Sequence, residues 1–86
     1  MTTPADTAAT AAALTAAAAR LDLAGEILAG RVALIARQRD TMRWASPGAR
    51  ACRARVETLL RLLSATSGRL SLGADDLRRC AGRLSR

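Results

Sequence analysis

Residues 42–51 read MRWASPGARA and lie at the midpoint of an 86-residue chain. They hold the only aromatic residue, Trp44, and one of the two prolines, Pro47. Proline lacks an N–H and disfavours helical geometry at the residue before it, so no helix runs smoothly through Ser46 and Pro47. Ser followed by Pro instead fits the N-cap and first position of a new helix. Trp44, Ser46, Pro47 and Gly48 therefore form a sharp turn spanning 44–48. Trp44 has two compatible readings, an apolar plug where the helices diverge and a direct contact with a partner.

On both sides of the turn the composition is helical. Ala, Leu and Arg make up more than half of the chain, Phe, Tyr and His are absent, and β-branched residues are sparse. These are helix formers, whereas a sheet needs Val, Ile, Thr and aromatics. The expectation is an all-α, antiparallel two-helix hairpin. Residues 1–6 are expected to be a disordered N-terminus and 7–86 a single domain, with helix 1 over about 7–43 and helix 2 over about 48–84. Each helix is then about 37 residues and about 55 Å long.

Both segments carry a seven-residue period. In helix 1 the large residues fall at Leu14, Leu21, Leu28, Ile35 and Met42, with Ala18, Gly25, Val32 and Arg39 four positions after the first four. Small residues there let a partner helix approach closely, which gives Gly25 a purpose; Gly25 and Gly30 as weak points is the other reading. In helix 2, Ala49, Val56, Leu63, Leu70, Leu77 and Leu84 form one row, and Cys52, Leu59, Thr66, Gly73 and Cys80 the interleaved one. The phase holds through Gly68 and Gly73, predicting one continuous helix. A break at SGRLSLG, with Ser71 capping a third short helix, is the alternative. Glu57–Arg61 and Asp75–Arg79 are well-ordered i,i+4 pairs.

One hairpin does not bury all the apolar residues. Leu23, Ile27 and Leu34 lie off the helix 1 seam, and Leu60, Leu62 and Leu72 lie off the helix 2 rows. Chains this short are marginal alone, and exposed apolar patches mark interaction sites. A second hairpin packed on this stripe gives a four-helix bundle. Dimerisation thus follows from burial.

The net charge of +7 is carried by arginine, since Lys is absent. Such a bias with abundant Ala is first the mark of a G+C-rich genome. Residues 1–43 hold five Arg against four acids, and 44–86 nine against three. Arg50, Arg53, Arg61, Arg78, Arg79 and Arg83 form a candidate basic face. A solvated helix surface, an acidic protein partner, nucleic acid and an anionic membrane surface all fit it. The Arg residues are spread over several heptad positions without aromatics, which disfavours nucleic acid. The +7 charge disfavours a homodimer.

No chemistry is visible. There is no His, no phosphate loop and no nucleophile with a base, and Asp75 and Asp76 point about 100° apart on a helix. Enzyme activity, cofactors and metals are not expected. Cys52 and Cys80 lie about 42 Å apart on one helix, beyond a disulfide's reach. Two reduced thiols buried as small hydrophobes are expected, with a bridge between chains left open. The most apolar stretch, LAGEILAGRVALIA, is broken by Glu26 and Arg31, so no membrane span is expected. The chain also reads without a conventional leader, because the first Arg is at position 20.

Two equal amphipathic helices around W44-A-S46, followed by WASPGARACRARVETLLRLL and then Leu70, Ala74, Leu77, Ala81 and Leu84, resemble the WXG (Trp-X-Gly) family of small type VII (ESX) secretion proteins. The resemblance covers about Leu14 to Leu84, with Ser46 at the family's Gly position. It implies a hairpin that pairs with a second WXG-like hairpin, preferably a different chain, as co-secreted subunit or chaperone. The family's export signal, a Tyr with an acidic residue four positions later, has no counterpart here. The resemblance therefore implies a cytoplasmic chaperone, or a subunit exported without a signal peptide by relying on its partner.

Overall fold

A computed structural model describes residues 3–86. Two helices, α1 (Pro4–Thr41) and α2 (Pro47–Leu84), lie antiparallel in a rod of 66 × 17 × 14 Å. Among the described residues there is no strand. No described helix is long and apolar enough to cross a membrane.

The first helix begins earlier than the sequence pattern suggested. Thr3 is its N-cap: the Asp6 N–H donates to Thr3 Oγ1 at 3.1 Å, and the Thr3 N–H donates back to Asp6 Oδ2 at 3.4 Å. This reciprocal box, with Pro4 in the first turn, builds a helix start where disorder was expected for residues 3–6. Residues 1 and 2 lie outside the described residues. α1 also ends two residues short of the expected position. Met42 turns extended, at φ −85° and ψ 149°. The Trp44 indole Nε1–H donates to the Arg39 carbonyl at 2.8 Å, satisfying one of the orphan acceptors at the helix end.

At the start of α2 the expected chemistry is in place. Ser46 is extended, its Oγ accepts from the Ala49 N–H at 3.0 Å, and Pro47 follows in the first turn. The Arg50 guanidinium donates to the Ala45 carbonyl at 3.1 Å and ties down the connection. The helix then runs unbroken through Gly68, Ser71 and Gly73, so no third helix forms.

The seam is built almost entirely from small residues. Ala11, Ala18 and Gly25 from α1 are buried against Leu60, Ala74 and Ala81 from α2. The large residues Leu14, Leu21 and Leu28 of α1, and Val56, Leu63, Leu70 and Leu77 of α2, flank it half-buried. Each helix thus offers a large row and a small row four residues on, and large packs beside small across the pair. Gly25 sits where a Cβ would meet Leu70 Cβ and the Ser67 carbonyl at 3.6 Å each. That is ordinary contact: the site requires a small residue, and alanine would also fit.

In α2 the interleaved row differs from the one expected. The seam uses Leu60, Ser67, Ala74 and Ala81, whereas Leu59 is 57% exposed and Leu60 only 7%. Leu59 and Leu60 therefore exchange the assigned places. Positions three and four after a large residue both border a seam, and the small-residue rule of α1 selects the fourth. Cys52 and Cys80 fall on the discarded row, so both thiols are exposed rather than buried.

The large rows also leave the seam. A heptad repeat drifts by about 20° per seven residues on a straight helix. Ile35 reaches 36% exposure and Met42 58%, and Ala36 takes the seam position beside Ile35. At the other end of the rod, Leu84 emerges from α2 in the same way.

Candidate partner-binding face

An antiparallel helix pair is related by a two-fold axis perpendicular to both helices. Residues rotated to the same side of the seam on each helix therefore share one face of the hairpin. At about 100° per residue, the drifting large rows of α1 and α2 move to the same side and emerge on one face. Ile35 of α1 joins Leu59 and Leu62 of α2 there, in the half of the rod nearer the turn, with Met42 beyond them. Leu59 and Leu62 are exposed among the largest apolar side chains.

The opposite face carries the ion pair that crosses between the helices. Asp22 of α1 and Arg78 of α2 form an ion pair across the helices, and Arg78 reaches Asp75 at 3.7 Å. Arg53 pairs with Glu57 at 3.3 Å. A shallow groove on this side has mainly apolar walls from Val32, Ala36 and Leu60, rimmed by Arg39, Glu57, Arg61 and Ser64. Of the expected intrahelical pairs neither forms: Glu57 takes Arg53 instead of Arg61, and Arg79 takes Asp76 instead of Asp75.

Charge is consequently segregated around the rod. By helical position Asp22, Glu26, Asp40, Glu57 and Asp75 all fall on this opposite face. Asp6 and Asp76 fall on the other side: Asp6 is spent in the first-turn box at the far end, and Asp76, in the row of Leu62 and Arg69, pairs with Arg79. The apolar side also has the arginines Arg20, Arg31, Arg55 and Arg69. None of these four makes an ion pair among the described residues.

The expected residues are thus distributed as follows. The stripe assigned to a partner is not one surface: Leu60 is in the seam, Leu62 is on the apolar face, and Leu23, Ile27 and Leu34 lie on the back of α1, exposed. Leu72 is exposed on the back of α2. The basic face is largely occupied internally. Arg50 bonds the Ala45 carbonyl, Arg61 donates to Thr58 Oγ1 at 3.2 Å, and Arg53, Arg78 and Arg79 are ion-paired. Arg83 gathers with Arg86 around Gly82 at the open end. Trp44 is half-buried at the turn. Its cap to Arg39 and the one-sided charge pattern were missed in the sequence. The charge signal was there, in residue positions taken around the helix rather than along the chain.

No group of three His, Cys, Asp or Glu residues is placed to hold a metal ion among the described residues. Comparison with protein-family models, curated proteins and solved structures finds no match.

Proposed function

We propose that this chain is a non-enzymatic interaction subunit whose hairpin pairs with a second helical hairpin to form a four-helix bundle. In this reading it is a WXG-like protein of type VII secretion, a co-secreted subunit or chaperone, as its resemblance implies. One observation carries the pairing: Ile35, Leu59 and Leu62 are exposed together on one face of a rod whose own core is mostly alanine. A side of the rod 66 Å long and 17 Å wide offers on the order of 1,000 Å², and a standard interface takes about 800 Å² from each partner. Burying that face would stabilise a hairpin that is marginal alone. The resemblance to secretion proteins rests on the sequence pattern alone.

The competing reading, a basic helical nucleic-acid binder, loses support because so many of the relevant arginines are already paired. Salt separates the two. High salt screens the arginines of the apolar face and strengthens association through its leucines, whereas phosphate binding collapses as salt rises. Sedimentation across a salt series, with duplex DNA binding by anisotropy on the same samples, makes the test. Association that grows with salt supports pairing. A monomer at every salt and concentration, with salt-sensitive DNA binding, overturns it.

A further inference from the structure

Cys52 and Cys80 are both free and exposed, on the row of α2 that also carries Leu59, Thr66 and Gly73. We propose that Cys52 bonds Cys80 of a second, antiparallel copy while Cys80 bonds Cys52 of that copy, two reciprocal disulfides that lock two hairpins face to face under oxidising conditions. This rests on the pairing reading above and adds to it a covalent, redox-dependent link.

Within one chain the thiols cannot meet, since they stand about 42 Å apart along one straight helix. Between two copies they can, because the row is self-complementary about Thr66. Cys52 and Cys80 stand equally far from Thr66, and so do Leu59 and Gly73. In a two-fold dimer the same patch meets itself. Centred on Thr66, it sets Cys52 against Cys80 of the second copy and Leu59 against Gly73, which has no side chain in the way. The adjoining row agrees at the same register: Arg55 comes level with Asp76 of the second copy, and Leu62 with the apolar stem of Arg69. α1 shares the axis. The Ser67 bond to Gly25 and the approach of Gly73 to Leu21 place Thr66 at the height of Leu28, so Leu28 meets its own copy and Ile35 meets Leu21. The row drifts about 20° per seven residues around α2, a path that a left-handed crossing of two helices follows. With axes about 8–10 Å apart and Cα atoms about 2.3 Å from each axis, facing cysteines come within the roughly 5.5 Å Cα separation of a disulfide.

The oxidant is a low-molecular-weight disulfide such as glutathione disulfide. The Cys52 thiolate attacks one of its sulfurs and expels a glutathione thiolate. Cys80 of the second copy then attacks the Cys52 sulfur and expels the other glutathione. Each bond thus passes two electrons to one glutathione disulfide, and the two cysteine protons end on the two glutathione thiols. The +7 charge of each copy opposes their approach. Packing alone therefore holds the second copy weakly, and the bonds decide whether it stays.

The full chain, Cys52→Ser, Cys80→Ser and an equal mixture of the two variants are equilibrated with glutathione and glutathione disulfide. Non-reducing denaturing electrophoresis and peptide mass spectrometry then read the links. Both positions are exposed, and circular dichroism checks that the helices are kept. The wild type is expected to give a covalent dimer with Cys52–Cys80 links, reversed by dithiothreitol. Each variant alone should run as the monomer. Their mixture should recover the covalent dimer at about tenfold or more above either variant, because docking holds the two remaining thiols at high effective concentration. Variants that dimerise alone, or a mixture no better linked than its components, overturn the reciprocal bridge. A wild type that stays unlinked while light scattering at high salt shows self-association overturns the bridge and leaves pairing standing. A wild type neither linked nor associated at any salt overturns both.

Discussion

The Ser67 hydroxyl donates across the seam to the Gly25 carbonyl at 3.1 Å. With the Asp22–Arg78 pair it fixes the register in which α1 meets α2. Gly25 lies in the buried row of α1, and Ser67 is half-buried in the small row of α2. The bond is available because neither residue carries bulk that would hold the backbones apart. Removing it in Ser67→Ala should cost about 0.5–1.5 kcal/mol, toward the lower end since the alanine still packs. Ser67→Leu should cost more by overpacking, about 1–3 kcal/mol. Urea unfolding followed by circular dichroism measures both.

The exchange of Leu59 and Leu60 gives a sharper test of the seam. Leu60→Ala deletes a buried side chain and should destabilise by about 2 kcal/mol or more. Leu59→Ala, at an exposed position, should stay within about 0.5 kcal/mol of wild type. Equal costs would contradict the observed register.

Gly30 and Gly68 are exposed inside helices, and a Cβ added at either meets nothing within 4 Å. Gly30→Ala and Gly68→Ala should each stabilise by about 0.5–1 kcal/mol. Thermal unfolding of the single and double variants checks this, with additive gains expected for such separated sites.

At the turn, Ser46→Ala removes the N-cap of α2 and should cost about 1 kcal/mol. Trp44→Phe keeps an aromatic ring but loses the indole bond to the Arg39 carbonyl, and should cost about 0.5–1.5 kcal/mol. If Trp44→Phe were neutral in urea, the indole would not be capping α1 in solution.

Much of this architecture is legible in the residues. Ser46-Pro47 marks the start of α2, and the heptad rows give two long helices. What escaped has physical causes. Thr3, Pro4 and Asp6 carry the capping signal, but at a chain end they also resemble a polar tail. The adjacent leucines 59–60 and 62–63 leave the interleaved row of α2 ambiguous, since both i+3 and i+4 border a seam. Only the small residues Ser67, Ala74 and Ala81, matching Ala18 and Gly25 in α1, resolve it. A count of arginines along α2 suggests a basic face, but the pair of Arg78 with Asp22 becomes visible only once the helices are folded together.

The central claim is that the face bearing Ile35, Leu59 and Leu62 binds another helical chain. Light scattering with circular dichroism, on the wild type and Ile35→Ser/Leu59→Ser/Leu62→Ser at high salt, tests it most directly. The account predicts that the wild type associates beyond its 9.0 kDa monomer mass as concentration rises. The triple variant should remain a helical monomer. A wild type that stays monomeric and fully helical throughout, indistinguishable from the variant, would contradict it.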